Sequence, residues 1–166
     1  MTQKLLFVCL GNICRSPAAE GVFLHHLRER GLSDRFVVDS AGTGSWHVGN
    51  PADRRMQAAA HRRGIDLPSR ARQIQLSDLE EFDLVLTMDD ANLAAVTSLA
   101  KEAGARACAE IRPMLSYAKR FNETEVPDPY YGGEEGFEHV LDLLDDACTA
   151  LLDELMSTST GRDAQP

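Results

Sequence analysis

The sequence predicts an α/β fold in which a parallel sheet is covered by helices on both faces. Three observations point to it. Short apolar runs, KLLFV at 4–8, FVVDS at 36–40 and LVLTM at 84–88, have the composition of strands buried in a sheet. Segments with apolar residues at helical spacing lie between them. Glycine, proline and asparagine stand at the joints. Strands alternating with helices form right-handed βαβ units, and such sheets bind ligands at the carboxyl ends of their strands.

The first strand, Lys4–Val8, runs into a glycine loop. Ser16 reads as the N-cap of the first helix and Pro17 as its first residue. Ala18, Ala19, Val22, Phe23, His26 and Leu27 recur at helical spacing, and Gly31 closes the segment. The second strand, Phe36–Ser40, leads into the loop AGTGSWHVGNP. Asn50 and Pro51 open a second helix that Gly64 closes, and Leu76–Phe82 reads as a short one. The third strand, Leu84–Met88, precedes a helix over Asp90–Glu102 with Gly104 as its stop. Ala107–Ile111 is the candidate for a fourth strand. Asn122–Gly136 is a long loop rich in proline, glycine and acids, and Phe137–Met156 carries the strongest helical period. A single domain is expected over 1–156, followed by a flexible tail at 157–166. The loops after Cys9, Ser40 and Asp89 all fall at the carboxyl edge of the predicted sheet.

A chain of 166 residues can bury a core without disulfides or metals. Its formal charge of −9, with no basic stripe, argues against nucleic acid as a partner. No apolar run approaches the roughly 20 residues that span a bilayer, so no membrane role is expected. The N-terminus, MTQKLLFVCLGN, lacks a small-residue cleavage site and reads as a strand rather than a signal peptide. Four cysteines without a secretory signal predict a reducing, cytoplasmic setting, where clustered cysteines are more often catalytic or metal-binding than structural.

Cys9-Leu10-Gly11-Asn12-Ile13-Cys14-Arg15-Ser16 joins strand to helix. Its amides can curl into a nest at the positive end of the helix dipole, which is an anion site. Gly11 and Asn12 tolerate the positive φ that such a curl needs. Arg15 can present a planar fork to two phosphate oxygens. Cys9, at the bottom among donors, would be held as thiolate, the nucleophilic form. A lone strand-end cysteine is more often a packing residue. A metal pair fits poorly, because C-x4-C is not the usual ligand gap and no second pair completes a site. A thioredoxin-type pair, a Walker loop and a dinucleotide fingerprint each lack a required residue. Cysteine and arginine bracketing five residues between strand and helix is the more specific signal.

Displacing an oxygen leaving group from phosphorus calls for an acid near the leaving oxygen. Asp128, fixed between Pro127 and Pro129, is one candidate; the Asp89–Asp90 pair is the other, and helix capping is its ordinary reading. Trp46, Tyr130 and Tyr131 sit in loops that converge on the same edge, where aromatic walls could stack a phenyl ring.

VCLGNICRSPAAE resembles the phosphate-binding loop of the low-molecular-weight protein tyrosine phosphatases, pattern C-x5-R-S, and the likeness continues through DSAGT, SWHVGNP, ARQI, FDLVLTMDDAN and PDPYYGG. The resemblance implies a four-stranded parallel sheet with helices on both faces, a flavodoxin-like three-layer sandwich. It implies hydrolysis of phosphotyrosine proteins and aryl phosphates through a phosphocysteine, with no cofactor and no metal. It assigns Cys9 as nucleophile, Asp128 as acid, and Arg15 with the loop from Leu10 to Cys14 as the phosphate cradle. Ser16 would assist the thiolate, Asn12 and Ser40 would brace the loop, and Trp46 and Tyr130 would line the mouth, beside Tyr131. Cys14 matches a second cysteine that traps oxidised Cys9 as a disulfide.

Ile13 favours aryl phosphates, since related phosphoarginine phosphatases tend to carry threonine there. The family's bracing histidine is expected where Arg70 stands. The resemblance also implies a tyrosine kinase as counterpart and a monomer or weak homodimer. A thiol-linked arsenate reductase shares this fold, but such enzymes use further cysteines, and residues 66–107 contain none. A non-catalytic phosphopeptide module would not need Cys9, Arg15 and Asp128 together.

Overall fold

The computed structural model describes residues 2–163. Four parallel strands form one sheet: β1 (Gln3–Cys9), β2 (Phe36–Gly42), β3 (Leu84–Thr87) and β4 (Glu110–Pro113), in the order β2-β1-β3-β4. Five α-helices accompany it: α1 (Arg15–Arg30), α2 (Arg54–His61), α3 (Leu76–Glu81), α4 (Asp90–Ala103) and α5 (Glu134–Asp163). Alternation along β1 builds the three layers. Leu5 and Phe7 face a core shared with α1, α2 and α5; Leu6 and Val8 face a second core with Leu79 of α3 and Val96 of α4. The strand order reverses at β1 and β3, so the β1–α1 and β3–α4 loops meet at their carboxyl ends, where doubly wound sheets bind ligands.

The structure bears out the four-stranded parallel sheet covered on both faces and shifts several boundaries. Cys14, not Ser16, caps α1; Ser16 lies inside the helix, its side chain turned to Cys9. The second helix starts at Arg54, because Asp53 accepts from the Arg55 N–H while Pro51 is held in a bridge to Arg70. The fourth strand lies later than expected. The Cys108 and Ala109 N–H groups donate to Leu79 O, so pairing with β3 begins only at Glu110. The last helix continues past Met156, where the apolar period stops. Of the tail expected at 157–166, residues 157–163 continue α5, and 164–166 lie outside the described residues.

Among the described residues no helix is long and apolar enough to cross a membrane.

Candidate active site

The β1–α1 loop folds back on Cys9. The carbonyls of Cys9, Leu10 and Ile13 turn outward and accept from the N–H groups of Thr43, Gly44 and Asp53. The N–H of Asn12 turns inward, donating to Cys9 Sγ at 3.3 Å. Asn12 makes the turn, with φ of 58°; Gly11 does not adopt positive φ. Glycine at 11 serves another need: a Cβ there would lie 2.9 Å from the His47 ring. At Gly42 a Cβ would stand 2.8 Å from Leu10 O, so glycine is what lets the end of β2 approach the loop.

Arg15 opens α1 and is buried. Its Nη1 donates to Asp89 Oδ2 at 2.7 Å and to Val126 O at 3.0 Å, and its Nη2 lies 3.9 Å from Asp128 Oδ2. Asp89 is the N-cap of α4, as the sequence predicts, accepting from the Asn92 N–H through its other oxygen. Its hold on Arg15 was not legible from the sequence, because 74 residues separate the two.

Asp128 is part-exposed at the rim of the same cavity, with Oδ1 accepting from the Tyr130 N–H. This cavity of about 320 Å³ brings together Cys9, Leu10, Gly11, Ile13, Cys14, Arg15, Asp128, Trp46, Tyr130 and Tyr131. His47, which the sequence reading did not select, completes the lining, its ring 6.5 Å from that of Tyr130. Trp46 and Tyr131 are 73% and 93% exposed, hence lip rather than wall. The Trp46 indole lies so close over Gly44 that a Cβ there would be 1.8 Å from it. Tyr130 is clamped between the Tyr131 ring at 5.0 Å and the Arg55 guanidinium at 5.4 Å.

Asn12, Ser16 and Ser40 stand behind the cavity, buried. Asn12 Nδ2 donates to Ser16 Oγ at 2.8 Å and to Ser40 Oγ at 3.0 Å; Ser16 Oγ lies 3.0 Å from Cys9 Sγ. At Arg70, which stands where the family's histidine is expected, the guanidinium is turned away from this network and donates to Gly49 O at the surface. The bracing partners are instead the Arg72 N–H, which donates to Asn12 Oδ1, and Glu20, which accepts from Ser40 Oγ at 2.6 Å. Glu20 was missed because a carboxylate inside an apolar helical pattern reads as solvated.

Cys14 lines the cavity but is buried, and burial, with Asp53 adding to it, pushes its thiol up to about 12. Cys148 is fully buried and also pushed up, whereas Cys108 is exposed. Among the described residues no three His, Cys, Asp or Glu side chains are grouped to hold a metal ion.

The family model described as low molecular weight phosphotyrosine protein phosphatase matches residues 4–160. A low molecular weight protein-tyrosine-phosphatase of Streptomyces coelicolor is 43% identical, over 99% of this chain and 100% of that protein. The crystal structure of a protein tyrosine phosphatase from Entamoeba histolytica, with Hepes in its active site, superposes with a TM-score of 0.90 at 41% identity, covering 95% of this chain and 99% of the other. The Drosophila arginine phosphatase structure superposes with a TM-score of 0.88 at 32% identity, covering 92% and 98%.

Proposed function

The chain belongs to the low molecular weight phosphotyrosine protein phosphatase family, whose members are hydrolases, and from that premise we propose how its own residues carry out the reaction. The substrate is a phosphotyrosine protein or an aryl phosphate. The Cys9 thiolate attacks phosphorus in line, and the bond from phosphorus to the phenolic oxygen breaks. Asp128 donates its proton to that oxygen. Arg15 and the loop N–H groups take the charge on the phosphoryl oxygens. In the second step Asp128, now ionised, removes a proton from water, whose oxygen attacks the phosphocysteine. The S–P bond breaks, phosphate leaves, and the Ser16 hydroxyl donates to the departing Cys9 thiolate. Asn12 and Ser40 keep the loop in shape for both steps.

The observation that carries this reading is one cavity holding Cys9 Sγ at its base, the Arg15 guanidinium beside it, and Asp128 3.9 Å from that guanidinium at the rim. The test is hydrolysis of p-nitrophenyl phosphate in the presence of chelator by wild type and Cys9→Ser. Full turnover by wild type and none by the serine variant is expected; turnover by the variant sinks the nucleophile assignment. The arsenate reductase alternative is not favoured: the relatives are named phosphatases, and 66–107 lacks the further cysteines it needs. Cys14 acts as accessory, closing a disulfide on Cys9 after oxidation. The enzyme works in the cytoplasm as a monomer or weak homodimer, with its domain over 1–156, on proteins that a tyrosine kinase has phosphorylated.

A further inference from the structure

Among the described residues, Glu20 is the buried carboxylate that no arginine, lysine or histidine meets within ion-pair distance; Asp78 has Arg72 and Asp146 has Arg120. The hydroxyl of Ser40 reaches it at 2.6 Å, and Ser69 also hydrogen-bonds to it. The hydrogen bonds leading from it to Cys9 have a direction that the donor inventory decides. The Arg72 backbone N–H can only donate, so Asn12 must present Oδ1 to it, at 3.0 Å. Asn12 Nδ2 then faces Ser16 and Ser40, and both hydroxyl oxygens accept from it. Each hydroxyl keeps one proton to give away. Ser40 gives its own to Glu20 Oε1 at 2.6 Å. Ser16 has Cys9 Sγ at 3.0 Å and, farther off, Ala41 O at 3.5 Å.

An acceptor is the end group this arrangement needs, and a carboxylate oxygen supplies one. With a donor there, Ser40 would turn its proton toward Asn12, and the amide would rotate to accept it. Its N–H would then oppose the Arg72 N–H, and Ser16 would donate to Asn12 rather than to Cys9.

We propose that Glu20 is a positioning residue: through Ser40 and Asn12 it keeps the Ser16 hydroxyl donating to the Cys9 thiolate. This deepens, and rests on, the reading of Cys9 as a phosphatase nucleophile. The surroundings hold the carboxyl by hydrogen bonds rather than by a close ion pair. Burial raises the Glu20 carboxyl above the ordinary range and Asp39 on β2 adds to the rise, while hydrogen bonds from Ser40 and Ser69 and the charge of Arg72 oppose it.

The test reads Cys9 directly: alkylation by iodoacetate against pH, with Cys9 and Cys14 resolved by fragment mass spectrometry. Glu20→Ala leaves Ser40 without its acceptor. The alkylation midpoint is expected to move up by about one pH unit, and kcat on p-nitrophenyl phosphate to fall about tenfold with KM within about twofold. Glu20→Gln, which still offers Oε1 to Ser40, is expected to restore both. A wild-type alkylation profile in Glu20→Ala, or a Gln variant as impaired as the Ala variant, overturns the proposal.

If Glu20→Ala shows no folding transition, Ser40→Ala decides, since it cuts the same path. An upward shift supports the proposal and an unchanged midpoint overturns it. Wild type that hydrolyses no aryl phosphate while the shifts still appear overturns the functional reading and leaves the role of Glu20 standing.

Discussion

Arg15 Nη1 donates to Asp89 Oδ2 across 2.7 Å, and the same carboxylate caps α4 with its other oxygen. One side chain thus fastens the β3–α4 turn and fixes the guanidinium proposed to hold phosphate. The two duties can be separated. Asparagine caps a helix about as well as aspartate but offers Arg15 no charge, so Asp89→Asn is expected to lose less stability than Asp89→Ala while lowering kcat/KM severalfold. Asp89→Ala removes both and strands a buried cation, with an expected loss of about 3 kcal/mol in urea unfolding. Equal stability of the Asn and Ala variants would sink the division of roles.

Asp128 is held by an N–H two residues on, between two prolines, and stands 3.9 Å from Arg15. A general acid matters most when the leaving group is basic. Asp128→Ala is expected to lower kcat on phosphotyrosine by about 10²–10³-fold, and on p-nitrophenyl phosphate by less. The check is a plot of kcat/KM, which reports only the step that expels the leaving group, against leaving-group basicity; it should be steep only in the variant. A parallel loss of kcat/KM across the series would mean that Asp128 binds substrate instead.

The layered sheet and the Cys9 loop were legible because they rest on local signals. Apolar runs, helical spacing and the Cys9–Arg15 bracket all lie within short windows of sequence. What the sequence hid is relational. Asp89 meets Arg15 and Glu20 meets Ser40 only after β1 and β3 come together and α1 packs on the sheet. The bracing of Asn12 stayed hidden because the Arg72 main chain supplies it, and no side-chain pattern marks a main-chain donor. The fourth strand slid because it is an edge, with little burial to set its register.

Cys14 supplies a pH test. Burial first, then Asp53, raises its thiol in the folded protein from 9.0 to about 12. Above pH 9 the unfolded chain releases this proton and the folded chain keeps it. The unfolded state then binds fewer protons, and stability falls as pH rises toward 12. Cys148 is shifted in the same direction and adds to the loss. Between pH 8 and pH 10.5, Cys14→Ala is expected to lose about 2 kcal/mol less than wild type, read from denaturant midpoints. The same shift predicts that Cys14 resists iodoacetamide at pH 7 in Cys9→Ser. Equal pH slopes in wild type and variant would place Cys14 in contact with solvent.

Ile13 lines the cavity with an apolar surface and packs against the main core. That suits the face of a phenyl ring. It does not suit phosphoarginine, whose guanidinium brings N–H groups that need acceptors once water is excluded. Threonine keeps the branched Cβ, so the loop can hold its shape, and replaces the ethyl arm with a hydroxyl that can accept. The scaffold itself is no obstacle, given the superposition on an arginine phosphatase. Wild type is expected to prefer aryl phosphate over phosphoarginine. Ile13→Thr is expected to narrow the ratio of kcat/KM values by about tenfold, the worth of one hydrogen bond in a closed site. The arginine arm should rise as the aryl arm falls slightly, because the hydroxyl also weakens packing on the ring. A ratio that narrows only through loss of aryl turnover would mean that specificity lies at the Trp46–Tyr131 lip and not at position 13.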